Sequence, residues 1–257
     1  SMEDLDAAEL QEFKDFFKKY YAPNNAVLVV AGDIDVAKTK AMVKNYFGAI
    51  PSGEEVARVD IKETPIPETI TAPEYDDNIQ IPAKLYVYRT PSMKERDAYI
   101  LEMISSILTD GKSSRMYKKM VDQDKTALQV LAFTRPQEDY GTYIMGALPL
   151  GDTELSTLAT AMDEEINKLK NELISEREYQ KLQNKFENNF VSSNSSIQGV
   201  ANSLARYYML YEDINLINKE IEIYRSITRE EIKEAANKYL NKNQRLELDY
   251  LPTPESK

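Results

Sequence analysis

Hydrophobic and polar residues recur along this chain with two different periods, and each period predicts one kind of element. Apolar residues three and four positions apart, such as Leu10, Phe13 and Phe17, predict amphipathic helices. The first helix is expected to begin at Asp6, with Glu9 completing a capping box, and Thr228 with Glu231 predicts another such box. Further helices are predicted over 35–47, 94–108, 114–121, 153–173, 176–190, 197–211, 214–223 and 229–240.

Strands are predicted where apolar residues alternate with others or form short β-branched runs. Lys84–Arg89 alternates with the period of a strand, and Arg245–Leu251 forms the last strand. Ala127–Thr134 and Tyr140–Leu148 predict an antiparallel hairpin. The continuous apolar run Ala26–Ala31 follows a turn signal, which predicts a strand buried on both faces.

The residue composition of the chain changes between residues 48 and 81. This stretch contains four prolines and repeated Glu, Asp and Thr, which is typical of a linker, with one extended piece around Val56–Ile61. We therefore predict four regions. They are the C-terminal part of a first α+β domain (1–50), a linker (51–80), a second α+β domain (81–252) and a tail (253–257).

One helix–turn–strand unit occurs twice, as Phe13–Val29 and as Ile232–Leu248. The apolar residues of the two helices correspond in order: Phe13, Phe16, Phe17 and Tyr20 match Ile232, Ala235, Ala236 and Tyr239. Asparagine-containing turns then lead into a strand in each copy. A repeated unit indicates two domains of similar construction, so residues 1–50 are expected to end a domain whose earlier part lies outside this sequence.

The amino-acid composition excludes or disfavours several classes of function. With 42% hydrophobic and 29% charged residues and no long apolar run, the chain is typical of a globular protein. A net charge of −11 disfavours nucleic-acid partners and membrane insertion. The chain contains no histidine and no cysteine, which excludes a Ser-His-Asp triad and a zinc centre built on imidazole or thiolate. The acidic, cysteine-free composition slightly favours a periplasmic or otherwise exported location over a cytoplasmic one.

Several segments, in the same order along the chain, resemble the insulinase/pitrilysin family of zinc peptidases. They are Leu5–Ala8, Phe17–Asn25, Leu28–Asp33, Tyr46–Pro51 and Leu108–Tyr117. The resemblance implies tandem α+β domains, each with a mainly antiparallel sheet and helices packed on one face, as in the mitochondrial processing peptidase. It also implies that two domains form a half and that two halves enclose an unfolded peptide.

In that family an H-x-x-E-H motif on a helix of the first domain supplies two zinc ligands and the general base. No position here can carry the motif, so the chain is expected to begin after it. No cofactor is expected in this chain, and zinc is expected in the full-length enzyme. The family's second half carries a substrate-holding arginine, yet no arginine occurs between Tyr140 and Glu176. This difference favours assigning the chain to the remainder of the zinc-bearing half.

The resemblance also suggests where peptide would be contacted. Ser113, Ser114 and Arg115 lie between two helices of the second domain, where backbone N–H groups and a guanidinium could meet a carboxylate or carbonyl. The structural alternative is a helix cap with an exposed basic residue.

The expected function is the non-catalytic domain of a zinc endopeptidase, inactive alone. Its partners would be the missing metal-bearing domain, the second half and unfolded peptide. The alternatives are a metal-free partner subunit or scaffold of the same family and a plain peptide-binding domain.

Overall fold

The computed structural model describes residues 2–59 and 61–254. Backbone contacts divide the chain into two compact units. The N-terminal unit holds the chain up to Ile61 together with Phe190–Asn218. The sheet unit holds Lys62–Asn189 together with the chain from Lys219 onward.

The sheet unit contains a five-stranded sheet. Its strands are β1 (Ile70–Asp76), β2 (Ala83–Thr90), β3 (Ala127–Arg135), β4 (Gly141–Pro149) and β5 (Arg245–Pro252). The spatial order is β1-β5-β2-β4-β3. Only the β1–β5 pair is parallel, so the sheet is mainly antiparallel. The predicted hairpin is confirmed as the antiparallel pair of β3 and β4.

The helices α4 (Arg96–Thr109), α5 (Leu155–Asn171) and α9 (Arg229–Tyr239) pack on one face of this sheet. The unit also holds most of α6 (Glu176–Ser193) and α8 (Leu216–Ser226), and a π-helical segment at Tyr117–Gln123. α4 packs against β3, α5 against β4 and β2, and α9 against β2. Alternate side chains such as Tyr86 and Tyr143 are therefore fully buried, while Leu85 and Val87 remain partly accessible. The predicted α+β class, with helices on one face, is confirmed.

A cation lies within this core. Arg245 at the start of β5 is 1% exposed, and its guanidinium lies 3.6 Å from the centre of the Tyr86 ring. It donates to Asp163 of α5 at 2.6 Å and to Glu247 at 2.6 Å. A further hydrogen bond reaches the Tyr88 hydroxyl at 3.1 Å. Because both carboxylates are hydrogen-bonded to it, the buried charge is compensated, and the network joins α5, β2 and β5.

One strand lies where a linker was predicted. Residues 70–76 form β1, which pairs along its whole length with β5. Pro73 is tolerated because β1 is the edge strand, where a missing backbone N–H need not break the sheet. The extended piece predicted around Val56–Ile61 includes Asp60, which lies outside the described residues, and its other residues form no strand.

The N-terminal unit contains α1 (Met2–Ala7), α2 (Leu10–Tyr20), α3 (Val36–Phe47) and α7 (Ile197–Arg206), with a second π-helical segment at Tyr207–Tyr211. The capping box predicted at Asp6 is wrong, since a separate α1 includes Asp6 and the box closes between Glu9 and Glu12.

The strand predicted at Ala26–Ala31 is not formed among the described residues, although Ala26 itself has extended backbone. A strand forms only where another strand supplies hydrogen-bond partners, and Leu28 and Val30 are accordingly exposed.

Candidate functional site

A groove of about 330 Å3 lies between α4, β3 and α6 in the sheet unit and is here called the β3 groove. β3 is the last strand of the sheet, and among the described residues only β4 pairs with it. The Thr109 hydroxyl donates to the Ala132 carbonyl at 3.3 Å, which shows that this carbonyl faces α4. In an antiparallel strand the N–H and C=O of alternate residues point to the same side. By this alternation Val130, Ala132 and Thr134 are assigned to the edge of β3 away from β4, where Thr109 already occupies the Ala132 carbonyl.

One end of the groove is polar and internally neutralised. Lys185 of α6 forms an ion pair with Asp110 at the end of α4 and donates to the Ser106 hydroxyl at 3.0 Å. Burial lowers the pKa of Lys185. The other end is apolar, because Phe133 contributes a ring that is 42% exposed. The groove thus offers backbone hydrogen bonds, one polar end and one apolar surface.

The three residues predicted to contact substrate all have partners within the protein. Ser114 is buried and donates to the Gly111 carbonyl at 2.7 Å. Ser113 is exposed and accepts a hydrogen bond of 2.7 Å from Lys181. Ser113 and Ser114 line a depression of about 30 Å3 that shares its Ser106 and Lys185 walls with the β3 groove. Their contact with substrate stays a prediction.

Arg115 forms a bidentate ion pair within the protein. Its guanidinium donates to the two carboxylate oxygens of Glu178 at 2.7 and 3.0 Å. Glu178 also accepts hydrogen bonds from the backbone and hydroxyl of Ser175. Partial burial acts to raise the pKa of Glu178, but the bonds from Arg115 and Ser175 outweigh it and lower that pKa to about 2. Arg115 therefore joins the start of α6 to the segment after α4, and its substrate-contact role also stays a prediction.

Replacing Glu178 by glutamine is expected to destabilise the sheet unit in a pH-dependent way. The native pKa of about 2 lies below the ordinary value of 4.5, so the ionised group stabilises the fold above that value. This contribution is lost as the pH falls through about 2. Urea unfolding of the wild type and the variant should be measured at a series of pH values between 2 and 7. The difference between their free energies of unfolding should shrink as the pH falls. A difference in free energy of unfolding that does not depend on pH would contradict a stabilising role for the ionised Glu178 side chain.

The sequence does not predict the β3 groove. Lys185 and Asp110 are distant in sequence, and nothing in the segment Leu108–Tyr117, which contains Asp110, indicates a contact with Lys185. The order of the strands in the sheet cannot be predicted from the sequence either. The alternation of apolar residues predicts that β3 is a strand but not that it lies at the edge. The available signal is modest: Lys185, Phe186 and Asn189 share one face of a predicted helix.

Two features are absent from the residues that the structure describes. No three His, Cys, Asp or Glu side chains among them are grouped so as to hold a metal ion. No helix within the described ranges is long and apolar enough to cross a membrane. The fold is that of an α+β domain with a groove beside an edge strand.

Comparison with known proteins identifies the family of this chain. The family described as "Peptidase M16 inactive domain" matches residues 7–186, and the chain belongs to it. The zinc protease PqqE of Helicobacter pylori is 25% identical over 245 residues, which cover 95% of this chain and 55% of that protein. The chain spans about half the length of the curated relatives it matches.

Solved structures share the fold. A protease from Helicobacter pylori superposes with a TM-score of 0.89 at 23% identity, covering 97% of this chain and 61% of that one. A peptidase M16 inactive domain from Pseudomonas fluorescens gives a TM-score of 0.79 at 18% identity, with 98% and 59% covered. The predicted resemblance to insulinase-type zinc peptidases is confirmed, and the chain is a non-catalytic domain of that type.

Proposed function

We propose that the sheet unit holds an extended segment of unfolded peptide in the β3 groove while a metal-bearing domain cleaves it. The observation that carries this proposal is the open edge of β3 beside a groove of about 330 Å3. A peptide that lies along an open edge gains backbone hydrogen bonds irrespective of its sequence, and pockets beside the edge select its side chains. Backbone recognition suits an enzyme whose substrates are unfolded.

In this proposal the zinc site lies outside these residues. Zinc would be held by a domain outside these residues, in the same polypeptide or in a partner subunit, and that domain would carry the H-x-x-E-H motif. The description of a curated relative as a zinc protease, almost twice the length of this chain, supports this division. The limits of 1–50 for the end of the first domain and 81–252 for the second belong to the same proposal.

Binding can be tested on the isolated chain with a 12-residue peptide from denatured casein. We expect NMR amide shifts to be largest at Val130, Ala132 and Thr134. The same peptide N-methylated at alternate residues should bind at least about tenfold more weakly, because two or more hydrogen bonds of about 1 kcal/mol each are lost. With added zinc the unmodified peptide should stay intact.

Two exposed residues of β3 form a matched pair of variants. Phe133→Lys should weaken binding because Phe133 lines the groove, whereas Leu128→Lys, equally exposed but outside the groove, should not. Equal affinity of the N-methylated peptide, or shifts away from β3, would contradict the proposed mode of binding. Cleavage abolished by a chelator would contradict the non-catalytic role.

A further inference from the structure

A second pocket of the sheet unit lies where β2 ends and β4 begins. Its volume is about 420 Å3, and none of the described residues that line it also lines the β3 groove. Residues 63–66, which precede β1, contribute one wall, and we name the site the strap pocket after them. Thr90 and Pro91 at the end of β2, Tyr140 before β4 and Tyr239 at the end of α9 contribute further walls. Ligand pockets usually occupy roughly 300–1,000 Å3, so the strap pocket is large enough to hold a ligand.

Hydrogen bonds hold two segments around the strap pocket in place. Arg89 of β2 donates to the carbonyl of Thr64 at 2.5 Å and forms an ion pair with Glu63 at 3.1 Å. These contacts hold the wall that precedes β1. After β2, the backbone N–H of Met93 donates to the carbonyl of Gln137, in the loop between β3 and β4, at 2.9 Å. Because both segments are tied to the sheet, the pocket is preformed and a ligand need not order it.

The lining of the strap pocket is mainly apolar and partly aromatic. It includes two tyrosine rings, two prolines and one isoleucine: Tyr140, Tyr239, Pro65, Pro91 and Ile66. The hydroxyl of Tyr239 donates to Asp97 at 2.7 Å, which fixes the orientation of its ring. Aromatic rings pair favourably with one another in offset or edge-to-face geometry, so an aromatic side chain gains most from this lining.

One carboxylate at the strap pocket has no counterion among the described residues. Of the two cations that line the pocket, Arg89 is paired with Glu63, and Lys238 is paired with Asp97 at 2.7 Å. Glu95, directly before α4, is exposed, and within the described ranges its side chain engages neither a cation nor the N–H groups of the helix. A ligand that carries a cation would supply the missing partner, and the net charge of −11 attracts such a ligand.

We propose that the strap pocket binds a peptide segment in which an aromatic residue stands next to an arginine or a lysine. The aromatic ring enters the pocket, and the neighbouring cation pairs with Glu95. A peptide is favoured over a free small molecule because Glu63, Pro65 and Glu95 are exposed, so the pocket is open to solvent on that side. Sites for small molecules usually enclose roughly 70–90% of the ligand surface, whereas a bound peptide can leave its backbone in solvent.

The test titrates the 257-residue chain with acetyl-Gly-Phe-Arg-Gly-amide. We expect the largest NMR amide shifts at Thr90, Tyr140 and Tyr239. Citrulline has the shape of arginine without its charge, so the citrulline peptide should bind about three- to fivefold more weakly, as expected for the loss of one exposed ion pair. Replacing the phenylalanine of the peptide by glycine should weaken binding at least about tenfold, because the buried ring is lost.

Two glutamates form a matched pair of variants. Glu95 and Glu154 both directly precede a helix, both are exposed, and neither side chain caps its helix, but only Glu95 lines the strap pocket. Glu95→Gln should weaken binding of the arginine peptide about three- to fivefold and leave binding of the citrulline peptide unchanged, because the two changes remove the same ion pair. Glu154→Gln should change the affinity for neither peptide.

Any of three results would overturn the inference. The first is equal affinity of the chain for the arginine and citrulline peptides, and the second is a set of amide shifts confined to residues outside the strap pocket. The third is binding of phenethylamine as tightly as the arginine peptide, which would identify a small-molecule site instead. Binding along β3 is measured at Val130, Ala132 and Thr134, so this inference and the proposed function can fail separately.

Discussion

Replacing Arg245 by alanine is expected to lower the free energy of unfolding of the sheet unit by about 3–5 kcal/mol. Arg245 is 1% exposed and is the cation shared by Asp163 and Glu247. Burial acts to lower the pKa of Arg245, but Asp163, Tyr88 and Glu247 together raise it above its ordinary value. Removing the guanidinium takes from Asp163 and Glu247 their nearest cation and leaves them Lys242 and Lys84, each at 3.7 Å. It also removes the contact with the Tyr86 ring, so a loss in the range of a broken buried ion pair is expected.

The matched control is Arg225→Ala. Arg225 pairs with Glu187, but both side chains are about half exposed, so this change should cost less than about 1 kcal/mol. Unfolding by urea can be followed by circular dichroism, since the chain has no tryptophan to report by fluorescence. Similar losses for the two variants would show that the buried network contributes no more than a surface ion pair.

The second large effect is expected at a pair of equivalent positions. Ile232→Ala should lower the free energy of unfolding by about 2–5 kcal/mol, because it opens a cavity beneath α9. Phe13→Ala, at the corresponding position of α2, should change the stability of the isolated chain by less than about 0.5 kcal/mol. The larger side chain thus has the smaller effect, because Phe13 is 54% exposed and has less buried surface to lose.

A large loss from Phe13→Ala in the isolated chain would show that α2 is already packed there. A negligible loss from Ile232→Ala would remove the basis for comparing the two units.

Most of the local structure could be predicted from the sequence. The periods of 3.6 and two residues place the helices of the sheet unit and every strand except β1 to within a few residues, because local backbone conformation depends mainly on which face must be buried. The capping box at Thr228 is confirmed for the same reason, since its atoms belong to one turn of helix. The fold class came from the family resemblance.

Features that depend on distant residues could not be predicted. β1 lies in a proline-containing stretch that resembles a linker, and it is a strand only because β5 offers an edge to it. The β3 groove depends on strand order and on the meeting of Lys185 with Asp110. The burial of Arg245 follows from the contact of α5 with the sheet, whereas the sequence shows only a charged residue before a strand.

The N-terminal unit shows this division most clearly. The sequence by itself determined that residues 13–29 and 232–248 share one pattern, and that no histidine or cysteine is present to bind zinc. Only the tertiary structure decided that one copy is buried and the other exposed. A strand and an amphipathic helix are specified locally, but their burial requires a sheet, and the described residues supply that sheet to the second copy alone.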